Sequence, residues 1–220
     1  MAQETIINEF LHSKKVYSKE EVHTIYSKWD QYDQDLGEEN YRGPLITAET
    51  MAELFPDEDV RKNLYILDVA AGTGLVGSQL KRKGFVKIDA LEPSENMLNL
   101  AKLKAVYTQT FQNRLEDSSN IQSDFYDVVV VCGGMGHGHI SCGGLDELIR
   151  LATPGGYVII VILEHDLKFA GEYPGQLELR IKELELEGKW EAKSRTVRPN
   201  YYFGKAGVVL VFKVKSKSVV

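Results

Sequence analysis

Residues 66–77 read Ile-Leu-Asp-Val-Ala-Ala-Gly-Thr-Gly-Leu-Val-Gly, a carboxylate followed by closely spaced glycines. Gly72 and Gly74, with Thr73 between them, let the chain turn tightly and leave no Cβ between backbone N–H groups and a ligand. Asp68 stands four residues before Gly72. Its carboxylate can hold the turn through backbone N–H groups or meet a cationic ligand through water. Glu92 lies 20 residues after Gly72, where an acidic side chain can accept hydrogen bonds from both hydroxyls of a ribose. Gly72, Gly74 and Gly77 also satisfy G-x-G-x-x-G literally, so a dinucleotide is one ligand the pattern admits.

A second stretch carries acid–base chemistry. After Cys132 come Gly133, Gly134, Met135, Gly136, His137, Gly138 and His139, four glycines and two histidines in seven residues. Imidazole titrates near neutral pH, so His137 and His139 are the candidate groups to take a proton from a hydroxyl, thiol or amine. The plainer reading is a glycine loop with solvated histidines. The glycines would leave room for an acceptor. His137, His139 and His165 have no carboxylate-plus-histidine spacing that demands a metal, and none is expected.

The surrounding pattern explains how these stretches can meet. An apolar run over 64–69 reads as a buried strand, and a helix follows over 75–83, stopped by Gly84. A second strand over 85–91 ends at Glu92; Ser94 is the expected N-cap of a helix reaching about Ala105. A short third strand spans 106–111 and a polar loop 113–120. Residues 125–131, with four consecutive valines, form a fully buried central strand. Ser141 and Asp146 flank a helix reaching Ala152. Pro154-Gly155-Gly156 makes a tight turn into a strand over 157–163, with Glu164, His165 and Asp166 at its end. An amphipathic helix over 174–187 and strands over 189–197 and 207–214, joined by 198–204, complete the chain. Alternating strands and helices predict an α/β fold with a parallel sheet, and the last hairpin is antiparallel. Ligands bind at the carboxyl edge of such sheets, which is where both stretches fall.

Residues 1–62 form an N-terminal helical arm, and 63–215 the expected binding domain. Ser18 with Glu20 and Glu21 caps a helix that places Val22, Ile25, Tyr26 and Trp29 on one face, and a second helix runs from Ile46 to Leu54 before Pro56. With Tyr32 and Tyr41, the arm is either packed on the domain or a lid over its site. The 220 residues carry a net charge of −6, and no basic run exceeds Lys81-Arg82-Lys83, so nucleic acid is not an expected partner. Two cysteines ten residues apart make neither a disulfide framework nor a zinc spacing. No apolar run approaches ~20 residues and no leader-like start is present, which predicts a cytoplasmic monomer without membrane contact.

The segment Asp-Val-Ala-Ala-Gly-Thr-Gly at 68–74 resembles the first motif of the class I methyltransferases that use S-adenosylmethionine. That motif is an acidic residue, two or three small ones, then G-x-G. The Ala-Thr-Pro-Gly-Gly turn at 152–156 is similar to another superfamily hallmark. Resemblance runs over about residues 26–213, through WDQYDQDL, YRGP, LEPSENML, VVVVCGGMGHGHI and LATPGGYVII. Within the superfamily these stretches resemble the methyltransferase-like proteins named after the Williams–Beuren syndrome region. The resemblance implies a Rossmann-like, seven-stranded, mostly parallel sheet with a C-terminal antiparallel hairpin. It also implies methyl transfer from S-adenosyl-L-methionine, with a small-molecule acceptor expected. Under it, Gly72, Thr73 and Gly74 lie beside the methionine moiety with Asp68, and Glu92 takes the ribose. Pro93 and Met97 border the adenine, Arg114 and Leu115 close its far edge, and Cys132 and Gly133 lie at the reactive end. Tyr41 and Arg42 would cover the cofactor, Arg42 facing its carboxylate. Glu92 departs from the more usual aspartate, and its longer arm can make the same bidentate contact. Asp68 favours this reading over an NAD(P) enzyme, whose glycines follow apolar residues only. A non-catalytic S-adenosylmethionine-binding partner protein is the other alternative.

Overall fold

In the computed structural model, which describes residues 17–136, 138–169 and 173–216, the apolar runs become the middle of one sheet. Strand β1 (Tyr65–Val69) lies between β2 (Lys87–Leu91) and β4 (Tyr126–Cys132), parallel to both. Asp68 sits level with Ala90 on one side and Val130 on the other. All four valines of β4 at 128–131 are fully buried, each worth about 1.5–3 kcal/mol of hydrophobic stabilisation. β3 (Thr110–Phe111) flanks β2, β5 (Ala152–Leu163) runs parallel to β4, and β7 (Lys205–Val214) pairs antiparallel with β5 and with β6 (Trp190–Tyr202). The seven strands take the order β3-β2-β1-β4-β5-β7-β6. The chain winds outward from β1 to β3, then returns to β4 beside β1. That reversal opens a crevice at the carboxyl ends of β1 and β4.

Helices cover both faces. On one side α5 (Leu75–Arg82) and α3 (Gly43–Leu54) bury Val76, Leu80, Ile46 and Met51 with Ile66, Val128 and Val130. On the other, α7 (Gly144–Leu151) and α9 (Tyr173–Leu186) bury Leu145, Leu148, Leu177 and Leu184 with Val129 and Val131. The remaining helices are α1 (Lys19–Ser27), α2 (Tyr32–Asp35), α4 (Glu58–Arg61), α6 (Glu95–Leu103), α8 (Glu164–Phe169) and a 3-10 turn (Leu115–Asn120). Ser18 closes a reciprocal capping box with Glu21, and Ser94 accepts from the Met97 N–H, as their residue types predict. Among the described residues no helix is long and apolar enough to cross a membrane.

Several expected boundaries move. The third strand shrinks from 106–111 to Thr110–Phe111, because the Asp89 carboxylate takes the Gln109 N–H at 2.9 Å in place of a ladder carbonyl. Pro154-Gly155-Gly156 is a bulge inside β5 rather than a turn before it. Gly156 permits this, since a Cβ there would lie 2.7 Å from the Asp127 carbonyl on β4. Glu164 to Asp166 are helical, in α8. The final hairpin turns only at Phe203 and Gly204, both with positive φ (44° and 75°), as a tight two-residue turn requires.

The arm is tied to the sheet through that longer β6. Tyr41 forms an antiparallel bridge with Tyr202, the Arg42 N–H donates to the Tyr201 carbonyl at 2.9 Å, and the Phe203 N–H to Asn40 at 2.7 Å. Glu38 accepts from Gln79 and Arg82 of α5 at 2.6 and 2.7 Å. Asp33 pairs with Lys104 and accepts from the Thr73 hydroxyl. Trp29, just past α1, is fully buried and donates its indole N–H to Asp35 at 2.7 Å.

Candidate active site

A cleft enclosing about 860 Å³ of space, open solvent included, occupies the crevice. Its floor is Val69, Ala70 and Gly72 after β1, residues 91–94 after β2, and residues 132–134 after β4. Lys19, Val22, His23 and Tyr26 of α1 roof it together with Tyr32 and Tyr41, and residues 113–116 close one side.

The glycine turn is set by backbone geometry. Gly72 and Gly74 both adopt positive φ (54° and 86°), and a Cβ on Gly72 would meet nothing within 4 Å. That position is therefore open to a ligand on its side-chain face. The Gly72 N–H donates to Glu92 Oε2 at 2.9 Å, and the Ser94 N–H to Oε1 at 2.8 Å. Both oxygens of Glu92 are thus fixed at the cleft, each with capacity to accept a further bond. Burial raises the Glu92 pKa, and the two amides pull against that rise.

Asp68 is buried behind the turn. Its Oδ2 accepts from the Tyr107 hydroxyl at 2.7 Å, while Oδ1 has no hydrogen-bond partner among the described residues. Burial pushes its pKa up to about 7, the Tyr107 bond opposing and the Glu92 charge adding to the rise. An orphaned buried carboxylate oxygen costs free energy and suits a donor that arrives with a ligand. Gly77 serves Tyr107: a Cβ there would lie 2.6 Å from the ring. The third glycine of the literal fingerprint therefore accommodates an aromatic side chain.

Of the residues expected at a cofactor, Tyr41, Gly72, Glu92, Pro93, Met97, Arg114, Leu115, Cys132 and Gly133 line the cleft. Asp68, Thr73, Gly74 and Arg42 do not. Thr73 is buried against Asp33, and Gly74 caps α5 with its open side against Tyr107 and Ala101. Arg42 is the N-cap of α3, held by the Tyr201 carbonyl. The cations on the cleft wall are instead Lys19 and Arg114. His137 lies outside the described residues. His139 lines the cleft, with Nε2 3.3 Å from the Tyr26 hydroxyl and its ring edge-on to Tyr26 at 5.7 Å.

The glycines of the loop after β4 do not leave the acceptor room expected of them. A Cβ on Gly133 would fall 2.5 Å from Tyr41 Oη, on Gly134 2.6 Å from Ala70 Cβ, and on Gly138 2.5 Å from Val22 Cγ2. They let the arm and the end of β1 pack against the loop. Cys132 is held as a neutral thiol: burial raises its pKa to about 11, and Tyr41 Oη lies 3.4 Å from its sulfur. Tyr107, Lys19, His23 and Glu116 were not marked by the sequence pattern. Lys19 and Glu116 pair across the cleft at 2.8 Å although 97 residues apart, a contact no periodicity announces.

Known proteins match this arrangement. Residues 66–156, from β1 through the glycine turn to the β5 bulge, match a family model described as a methyltransferase domain. Methyltransferase-like protein 27 of Homo sapiens is 29% identical over 169 residues, covering 76% of this chain and 67% of that protein. Magnesium protoporphyrin IX methyltransferase from Synechocystis PCC 6803, solved with bound S-adenosylmethionine, superposes with a TM-score of 0.67 at 16% identity over 93% of this chain and 100% of that one. The 1,6-didemethyltoxoflavin-N1-methyltransferase of Burkholderia thailandensis gives a TM-score of 0.65 at 13% identity, covering 93% of each chain. The acidic residue before the glycine turn and the carboxylate after β2 both fall within residues 66–156, which form a methyltransferase domain, and the seven-stranded sheet has the fold of solved S-adenosylmethionine-dependent methyltransferases.

Proposed function

We propose that the acceptor of the methyl group is a small molecule, bound beneath the arm. The observation that carries this reading is the roof. Helix α1, Tyr32 and Tyr41 line the same cleft as Gly72 and Glu92, so the arm forms one wall of the site. The net charge of −6 also disfavours a polyanionic acceptor. Two similar folds bear names of small-molecule enzymes, acting on magnesium protoporphyrin IX and on 1,6-didemethyltoxoflavin. Cys132 and Cys142 form no disulfide with each other, which suits a reducing, cytoplasmic setting.

The residues divide the work as follows. The remaining acceptor capacity of Glu92 takes the ribose hydroxyls, and Pro93, Met97, Arg114 and Leu115 border the base. The free Oδ1 of Asp68 meets the aminium of the methionine moiety behind Gly72, directly or through water. Bound S-adenosylmethionine supplies a methyl already activated on a sulfonium. What the chain adds is chiefly positioning, worth up to ~7–11 kcal/mol. Cys132, Gly133 and Tyr41 shape the reacting end. His139 takes a proton from an acceptor hydroxyl, amine or thiol, with Tyr26 orienting its Nε2.

Within the arm, 1–62, helix α1 acts as a lid on the 63–215 domain. Its hinge follows from unequal anchoring. Trp29, Asp33 and Glu38 are held by burial and by paired bonds to α5 and Lys104. Helix α1 packs Val22 against Gly138, buries Ile25 and sets Tyr26 against His139; its polar ties are the half-exposed Lys19–Glu116 pair and Ser27 with Ser94 at 3.4 Å, with Asp30 and Asn96 at 3.2 Å just beyond it. An exposed pair of that kind contributes about 0–1 kcal/mol, so lifting α1 costs chiefly the burial of Val22 and Ile25, while Trp29, Asp33 and Glu38 keep the rest of the arm in place.

Incubating the protein with methyl-labelled S-adenosylmethionine and a cell extract, then fractionating by size, tests the reading. Label is expected in the low-molecular-weight fraction. Label in nucleic acid or protein instead would overturn the small-acceptor assignment. Tight binding with no label in any fraction would favour the non-catalytic partner protein.

A further inference from the structure

We propose that Tyr107 is a positioning residue that holds Asp68 ready for the cofactor's aminium, and that cofactor binding displaces a proton from this buried pair. The inference rests on the reading that Asp68 Oδ1 meets that aminium. Its geometry stands on three independent features. Tyr107 donates to Oδ2 at 2.7 Å, which orients the carboxylate and leaves Oδ1 as the oxygen without a partner among the described residues. The ring is wedged between Gly74 and Gly77, where a Cβ would fall 3.0 and 2.6 Å from it, so it cannot swing away from Asp68 without vacating the turn. Neither Tyr107 nor Asp68 lines the cleft; both lie behind Gly72, so Asp68 reaches a ligand past that turn or through water, and Tyr107 acts through Asp68.

The charged and titratable groups facing Asp68 set the sign of the effect. Tyr107, from the segment before β3, and the Gly77 amide, from α5, favour the carboxylate. Glu92, from the end of β2, disfavours it, and burial disfavours it most, which brings the group to about 7. Cys132, from the end of β4, also lies within electrostatic range and stays a neutral thiol at that pH. In the free protein near pH 7, Asp68 is therefore divided between acid and carboxylate. A cation beside Oδ1 favours the carboxylate, so the Asp68 proton leaves for solvent while the aminium keeps its own. Affinity then rises with pH up to about 7 and levels off above it.

Calorimetry with S-adenosylhomocysteine at pH 6.0–7.5, in buffers of different ionisation enthalpy, reads both affinity and protons released. For an apo pKa of about 7, binding at pH 6.0 should be about eightfold weaker than at pH 7.5, with roughly half a proton released at pH 7. Tyr107→Phe keeps the ring but removes the bond that lowers the Asp68 pKa, so the profile should move to higher pH and proton release at pH 7 should grow. Asp68→Asn should bind with no proton release. Adenosine, which has the ribose but no aminium, should also bind without release, separating Asp68 from the buried Glu92. Normal S-adenosylhomocysteine binding with no proton release, or a Tyr107→Phe profile identical to wild type, would overturn the proposal. Failure of the wild-type protein to bind S-adenosylhomocysteine at pH 7.5 would instead overturn the cofactor-site reading beneath it.

Discussion

His139→Ala should lower turnover on the true acceptor by about 10²–10⁴-fold while leaving cofactor affinity unchanged, the range that a positioned general base contributes. The loss follows from where the ring sits. His139 is on the wall of the cleft, its Nε2 faces the Tyr26 hydroxyl at 3.3 Å, and Tyr26 belongs to the roof. Burial keeps Tyr26 protonated far above neutral pH, so in the proposed mechanism the tyrosine would orient the imidazole and the imidazole would move the proton. The residual rate of the alanine variant should also lose its pH dependence near neutrality. Tyr26→Phe retains the ring packing and should cost less than the histidine change. Full turnover in His139→Ala would mean catalysis by positioning alone, with the loop after β4 serving as a wall and Tyr32 and Tyr41 as the next residues to examine.

Glu92→Ala should weaken S-adenosylhomocysteine binding by about 1.5–3 kcal/mol, or roughly 10–150-fold, the usual range for hydrogen bonds to a charged group. The carboxylate is already committed at both oxygens to the Gly72 and Ser94 amides. Removing it frees the two amides that set the shape of the glycine turn and, in the proposed role, would withdraw the ribose acceptors. Glu92→Gln separates these contributions: its amide oxygen can keep one of the two backbone bonds, but its NH₂ must face the other N–H. Affinity equal to wild type in Glu92→Ala would remove the residue from the ribose role.

The legible parts of this fold were those with a local physical signature. Continuous apolar runs marked β1, β2 and β4 because both faces of those strands are buried. Ser18 and Ser94 marked helix starts through their caps, and the spacing of Gly72 and Glu92 placed both at the carboxyl edge. What stayed hidden depends on side chains meeting across the fold. Asp89 replaces a strand partner for Gln109 and shortens β3. Gly133, Gly134 and Gly138 read as open space, yet Tyr41, Ala70 and Val22 fill it. Arg42 read as a cofactor-facing cation, yet its backbone is drawn to Tyr201 by a strand longer than the pattern suggested. Tyr107 precedes a two-residue strand in no periodic frame, so its bond to Asp68 left no trace in the sequence.

The account's central claim is that cofactor binds between the glycine turn and the arm. Amide hydrogen exchange with and without S-adenosylhomocysteine tests it most directly. Residues 19–28 should exchange faster than the anchored α3 in the free protein, because the nine-residue α1 holds to the domain through Val22, Ile25 and the half-exposed Lys19–Glu116 pair. They should become protected with the cofactor product bound, together with residues 70–74 and 91–94. Residues 44–54, in the anchored α3, should change little. Protection of the glycine turn with no change over 19–28 would contradict the claim and leave the arm as a fixed part of the domain.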